Sequence, residues 1–161
     1  MTSAHTAQPT DATSMPSLNP DVSSVSAADA TCPCRLALSD RDRQRIAALD
    51  PEFGATVTLL LRLMAMAGHR MFVTSGKRTT QEQQALYAQG RTEAGKIVTH
   101  LDGVARRSKH QDGVAVDCAF VGPDPWSGPW EMYAKFAEGL GLVSGAHWKK
   151  FPDRPHVEAA S

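Results

Sequence analysis

The run Ser108-Lys109-His110-Gln111-Asp112-Gly113-Val114-Ala115-Val116-Asp117, followed downstream by Asp153-Arg154-Pro155-His156, constrains this chain more than any other feature. It gathers two imidazoles and two carboxylates in segments punctuated by Gly and Pro. A hydrolytic zinc site needs three N/O donors, an open fourth position and a nearby acid/base group. Gly113 lets the backbone turn from a loop into a strand. His110 would then come from the strand's entrance, Asp117 from its middle, and His156 from a different strand. Water in the open position would ionise near about pH 7. Asp153, three residues before His156 and stiffened by Pro155, could take its proton and hand it to a leaving amine. Manganese or cobalt could occupy the same N/O set. His147 ranks lower as a ligand because Trp148-Lys149-Lys150 reads as a turn. His5, His69 and His100 show no convergent partner, and Asp112 reads most simply as a loop carboxylate.

The elements around this pattern are short. Ser39 is a plausible N-cap for a first helix carrying Ile46 and Leu49. Asp50-Pro51 gives a cap and first turn for a second helix. Its Phe53, Val57, Leu60, Leu61 and Met64 recur at helical spacing, and Gly68 ends it. Met71–Thr74 reads as a strand. Thr79 with Glu82 forms a capping box for a helix whose Leu86 and Tyr87 are expected to face inward. Residues 91–112 read as one long loop, and such loops are usually functional or mobile. Val114, Val116, Cys118 and Phe120 alternate with Ala115, Asp117 and Ala119, predicting a strand with one apolar face and Asp117 on the other. Tyr133, Phe136, Ala137 and Leu140 mark a last amphipathic helix. Leu142-Val143 and His156-Val157-Glu158 complete the strands. Strands and helices do not alternate regularly, so the expected class is α+β with short strands.

The 161 residues suffice for one domain with a real core. Residues 1–31, rich in Ser, Thr, Ala, Pro and Asp, read as a disordered tail, and residues 32–161 as the folded domain. That tail holds three of the 17 acidic residues and none of the 17 basic ones, so the remainder is cationic by three. This leans weakly toward anionic polymers such as cell wall. No basic run interleaved with aromatics points to nucleic acid. No stretch is apolar enough for membrane insertion, and no secretory signal is visible. Three cysteines, Cys32, Cys34 and Cys118, argue against a full disulfide framework, although a Cys118 bridge to one of the others stays open.

The pattern S-x-H-x-x-G-x-A-x-D, with Asp or Glu three residues before a later His, resembles the signature of the VanY-like (M15) zinc peptidases. Ser108, His110, Gly113, Ala115, Asp117, Asp153 and His156 occupy every fixed position. Thr74-Ser75-Gly76-Lys77-Arg78-Thr79 resembles that family's S-G-x-R-T, and Trp148 through His156 its closing segment. The match covers about residues 70–158. The resemblance implies zinc on His110, Asp117 and His156, with Asp153 as catalytic base. It implies that Arg78 binds a substrate carboxylate or steadies the oxyanion, and that Ser108 holds the ligand loop or contacts substrate. Gln83 reads as structural. The implied fold is a small α+β domain related to the Hedgehog and D,D-peptidase domains, with an antiparallel sheet and flanking helices.

The implied activity is peptidoglycan hydrolysis by a monomer. Asp153, followed by Arg-Pro rather than Trp-His, looks closer to phage endolysins that cut the L-Ala–D-Glu bond of the stem peptide. A D-alanyl-D-alanine carboxypeptidase or dipeptidase is the alternative, and a non-catalytic wall-binding domain the rival from another class. The expected route is synthesis in the cytoplasm, then action on the wall after release or injection.

Overall fold

The computed structural model describes residues 38–160. The expected tail, and Cys32 and Cys34, lie outside these residues.

Local signals set the first elements. Ser39 caps α1 (Asp40–Ala47), its hydroxyl accepting from the Asp42 amide. The Asp42 carboxylate is buried and accepts from Ser39 Oγ at 2.6 Å and from the Val73 amide at 3.0 Å, which ties α1 to the first strand. Asp50 caps α2 (Pro51–Met66), accepting from the amides of Glu52 and Phe53, with Pro51 in the first turn. Phe53, Val57, Leu60, Leu61 and Met64 are all buried, as their spacing predicts.

Four strands follow: β1 (Met71–Ser75), β2 (Ala115–Phe120), β3 (Leu142–Ser144) and β4 (His156–Ala159). They form one sheet in the order β1-β2-β4-β3, with every neighbour antiparallel. Three helices complete the fold: α3 (Thr80–Ala88), α4 (Lys109–Asp112) and α5 (Trp130–Gly139). A 3-10 turn, Gly145–His147, follows β3. The class is α+β, as expected.

One face of the sheet supplies the core. Met71, Val73, Val116, Cys118, Phe120 and Val157 pack with the α2 stripe and with Trp130, Tyr133 and Ala137 of α5. The Phe120 and Trp130 rings meet edge to face at 4.7 Å. Burying each large apolar side chain here contributes about 1.5–3 kcal/mol. The residues between, Asp117 on β2 and His156 and Glu158 on β4, point to the opposite face because strand side chains alternate.

Three expectations need correction. Residues 91–112 do not form one uninterrupted loop: their last four residues close into α4, which carries His110. A single turn leaves no periodicity to read, but Ser108 and Gln111 form a capping box around it. In α3 the buried residue is Gln83, whereas Leu86 and Tyr87 are only partly covered. Gln83 Nε2 donates to Leu101 O at 2.9 Å and to Thr99 Oγ1 at 3.2 Å, so a polar side chain satisfies the backbone of the following loop. Finally, β2 is not covered on one face alone. Ala115 and Ala119, on Asp117's face, are fully buried, and Asp117 is its least buried residue. The α4 turn lies against this strand.

Candidate metal centre

His110 reaches the site from α4. Gly113 ends this helix in the left-handed conformation (φ 76°), with its amide bonded back to His110 O. Non-glycine residues seldom adopt that backbone, and the motif glycine marks it. Ser108 caps the other end, accepting from the His110 amide at 3.3 Å. His110 Nδ1 lies 2.8 Å from Gly76 O. A carbonyl can only accept, so Nδ1 carries the proton and Nε2 presents its lone pair to the site.

Asp117 and His156 face each other directly across the β2–β4 ladder. Residues so paired place their side chains on one face within reach of each other. Asp117 Oδ1 lies 2.9 Å from His156 Nδ1 and 3.3 Å from His110 Nε2, and the two imidazole nitrogens are 3.3 Å apart. These three atoms form a nearly equilateral triangle. A tetrahedral zinc ion with N/O bonds of about 2.0–2.1 Å has ligand-to-ligand edges of about 3.3–3.4 Å. Of the described residues, His110, Asp117 and His156 form the only group whose donor atoms converge in this way. Their chemistry and spacing fit zinc.

Electrostatics follow from the packing. Burial alone would raise the Asp117 carboxyl, but hydrogen bonds and charge from His110 and His156 outweigh it and hold the group well below the usual carboxylate range. Burial opposes charge on His156, but Asp117 and Glu158 overcome it and push the imidazole up to about 9. Without a metal, the cluster is therefore a carboxylate with a proton held beside it.

Arg78 stands at the end of β1. Its guanidinium donates to Asp117 Oδ2 at 2.7 Å, to Ser75 Oγ at 3.0 Å and to Gln83 Oε1 at 3.4 Å. The structure thus puts Arg78 on the far oxygen of Asp117, leaving Oδ1 to the triangle. Asp153 lines the same cleft of about 650 Å³ as Arg78, Ser108 and the three donors. Its amide donates to Gly145 O at 2.8 Å, and its own carbonyl accepts from the His156 amide. Burial, reinforced by the charge of Asp117, raises its carboxyl. Leu86, Val98, Trp126, Trp148 and Phe151 give the cleft an apolar wall.

His147 points elsewhere, to Glu138 at 2.7 Å and Glu131 at 3.5 Å. Cys118 is a buried free thiol, pushed up to about 12 by burial, and faces the core. Sequence reasoning missed three contributors. One is the Gly76 carbonyl that fixes His110. The second is Gly145, where a Cβ would come within 2.5 Å of Asp153 O. The third is Glu158, whose Oε2 lies 3.1 Å from His156 Nε2. The signal for Glu158 was available: it sits two residues after His156, on the same strand face.

An α+β domain with a His-Asp-His cluster beside an isolated carboxyl is the frame of a metal-dependent hydrolase. Two family models, both described as D-alanyl-D-alanine carboxypeptidase, match residues 102–159 and 47–126. Together the two models span residues 47–159, and over that stretch the chain is similar to the M15/VanY family. It is 35% identical over 107 residues to the peptidoglycan L-alanyl-D-glutamate endopeptidase CwlK of Bacillus subtilis, a match covering 58% of this chain and 63% of that relative. The chain thus spans just under two thirds of that relative's length.

Solved structures share the fold. The L-Ala D-Glu endopeptidase ChiX of Serratia marcescens superimposes with a TM-score of 0.53 at 20% identity, over 76% of this chain and 89% of that one. A vancomycin-resistance D,D-pentapeptidase VanY in complex with Zn(II) gives 0.54 at 18% identity, over 70% and 73%. The LD-carboxypeptidase LdcB gives 0.54 at 20% identity, over 70% and 66%.

Proposed function

We propose that this protein is a zinc-dependent peptidoglycan endopeptidase that hydrolyses the L-Ala–D-Glu bond of the stem peptide. The observation that carries the chemistry is the donor triangle of His110 Nε2, Asp117 Oδ1 and His156 Nδ1, with edges of 2.9, 3.3 and 3.3 Å. Likeness to CwlK supports the choice of bond.

His110, Asp117 and His156 hold the metal. When bound, zinc supplies Lewis acidity and a water that ionises at about pH 7. The remaining work falls to this chain's own side chains. Asp153, raised by burial and by Asp117, receives a proton in the cleft and returns it to the leaving amine. Arg78 steadies Asp117 through Oδ2, and the same guanidinium lines the cleft where charge develops on the carbonyl oxygen. Ser108 fixes the helix that carries His110. The aromatic wall covers the apolar parts of the bound peptide and excludes water.

The test is digestion of purified peptidoglycan with zinc-loaded protein, followed by mass analysis of the fragments. New free N-terminal D-Glu is expected. Release of D-Ala instead would favour the second reading, a D-alanyl-D-alanine carboxypeptidase, which the descriptions of both matching family models keep in play. Tight binding to sacculi with no cleavage would overturn both.

A further inference from the structure

We infer that Glu158 and Lys109 form a clamp that positions His156 for metal binding and fastens together the two elements that carry the imidazole ligands. The inference rests on the zinc reading above. It assigns a positioning role to two residues outside the donor triangle.

The geometry begins at His156. Its Nδ1 faces Asp117 Oδ1 at 2.9 Å, so this nitrogen must present the lone pair to a metal. Its Nε2 lies 3.1 Å from Glu158 Oε2. An ionised carboxylate can only accept, so Glu158 selects the form with the proton on Nε2 and leaves Nδ1 for the metal. Free neutral imidazole prefers neither arrangement strongly, and a ring without this partner could turn or carry its proton on the wrong nitrogen. The β4 backbone supplies the alignment, because residues two apart on a strand share a face.

Glu158 is held in turn. Its Oε1 lies 3.1 Å from Lys109 Nζ, and Lys109 also donates to Ala159 O at 2.6 Å. Lys109 immediately precedes His110 on α4. The chain of contacts therefore runs from the helix bearing one imidazole ligand, through an ammonium and a carboxylate, to the other. The Lys109 side chain is 31% exposed and that of Glu158 18%, so the pair is partly sheltered from screening. His110 is fixed from its outer nitrogen by the Gly76 carbonyl, and His156 from its outer nitrogen by Glu158. Both imidazoles are thus oriented from behind, one by a neutral dipole and one by a full charge.

The experiment measures zinc affinity by competition with a chromogenic chelator, alongside the melting temperature of each metal-free protein. Glu158→Ala should weaken zinc binding by about 10–100-fold. Glu158→Gln keeps an acceptor oxygen and nearly the same shape but loses the charge, and should fall between Glu158→Ala and wild type. Lys109→Met leaves the carboxylate in place and should weaken binding least, by about threefold. If Glu158→Ala does not fold, Glu158→Gln and Lys109→Met carry the test. A folded Glu158→Gln that binds zinc as tightly as wild type overturns the clamp. Failure of the wild type to bind zinc at all overturns the zinc reading instead, so the two failures are distinguishable.

Discussion

Cys118 and Asp117 are neighbours on β2, and they face opposite sides of one sheet. Cys118 looks into the core among Val73, Tyr133 and Val157, where burial pushes its thiol up to about 12. Asp117 looks into the cleft, where two imidazoles hold its carboxyl below the usual range against the opposing effect of burial. Depth alone therefore does not decide whether a group is reactive. What matters is whether burial comes with charged partners that favour one protonation state. On the core face, side chains are exchangeable for others of equal volume. On the cleft face, the three donors and Arg78 are tied to one another or to neighbours, and among the described residues no buried side-chain polar atom lacks a partner.

The contrast can be attacked from both faces. The largest effect is expected from Asp117→Ala, which removes a donor and leaves the Arg78 guanidinium without its 2.7 Å partner. Isothermal titration should then show no zinc binding in the micromolar range, while circular dichroism keeps its α+β signature. Asp153→Ala should lower kcat by about 100- to 10,000-fold and leave zinc affinity within a few-fold of wild type. A fully active Asp153→Ala protein would remove the assigned base.

Leu61→Ala, on the core side, should cost about 2–5 kcal/mol in urea unfolding with activity per folded molecule unchanged. A loss of turnover without a loss of stability would show that the two faces are not separable.

Zinc affinity should also depend on pH. His156 keeps an extra proton up to about 9 in the metal-free protein, and zinc must displace it. Affinity should therefore climb as pH rises from near neutral toward about 9, by up to about tenfold per unit, and flatten above. A flat profile across that window would contradict the protonated cluster. The smallest effect is expected at Cys118. Thiol reagents should leave it unmodified in the folded protein, and Cys118→Ala should retain activity.

Much of the site was readable from residue order, for a physical reason. His110, Gly113 and Asp117 lie within eight residues, and their spacing is fixed by one helical turn, one left-handed glycine and one strand. Asp153 and His156 are likewise local to each other. What was not readable depends on registers and approaches between distant segments. Glu158 reaches Lys109 because β4 pairs with β2 at Ala115 and α4 lies against that strand. The Gly76 carbonyl meets His110 across 34 positions of sequence. Leu86 and Tyr87 were expected on the inward face of α3 because periodicity counts apolar residues, and the buried amide of Gln83, serving a loop backbone, carries no such signature. The α4 turn escaped because four residues are too few to show a period.

The strand order β1-β2-β4-β3 has a consequence in time. β4, the last described strand in the sequence, does not add to an edge but inserts between β2 and β3. It carries His156 and Glu158, so the sheet and the donor triangle are completed by the same event. A nascent chain that has not yet reached His156 lacks one of its two imidazole donors and the centre of its sheet. Such a chain has neither a finished sheet nor a complete donor triangle. Translation through His156 therefore sets the earliest moment at which the three donors can come together.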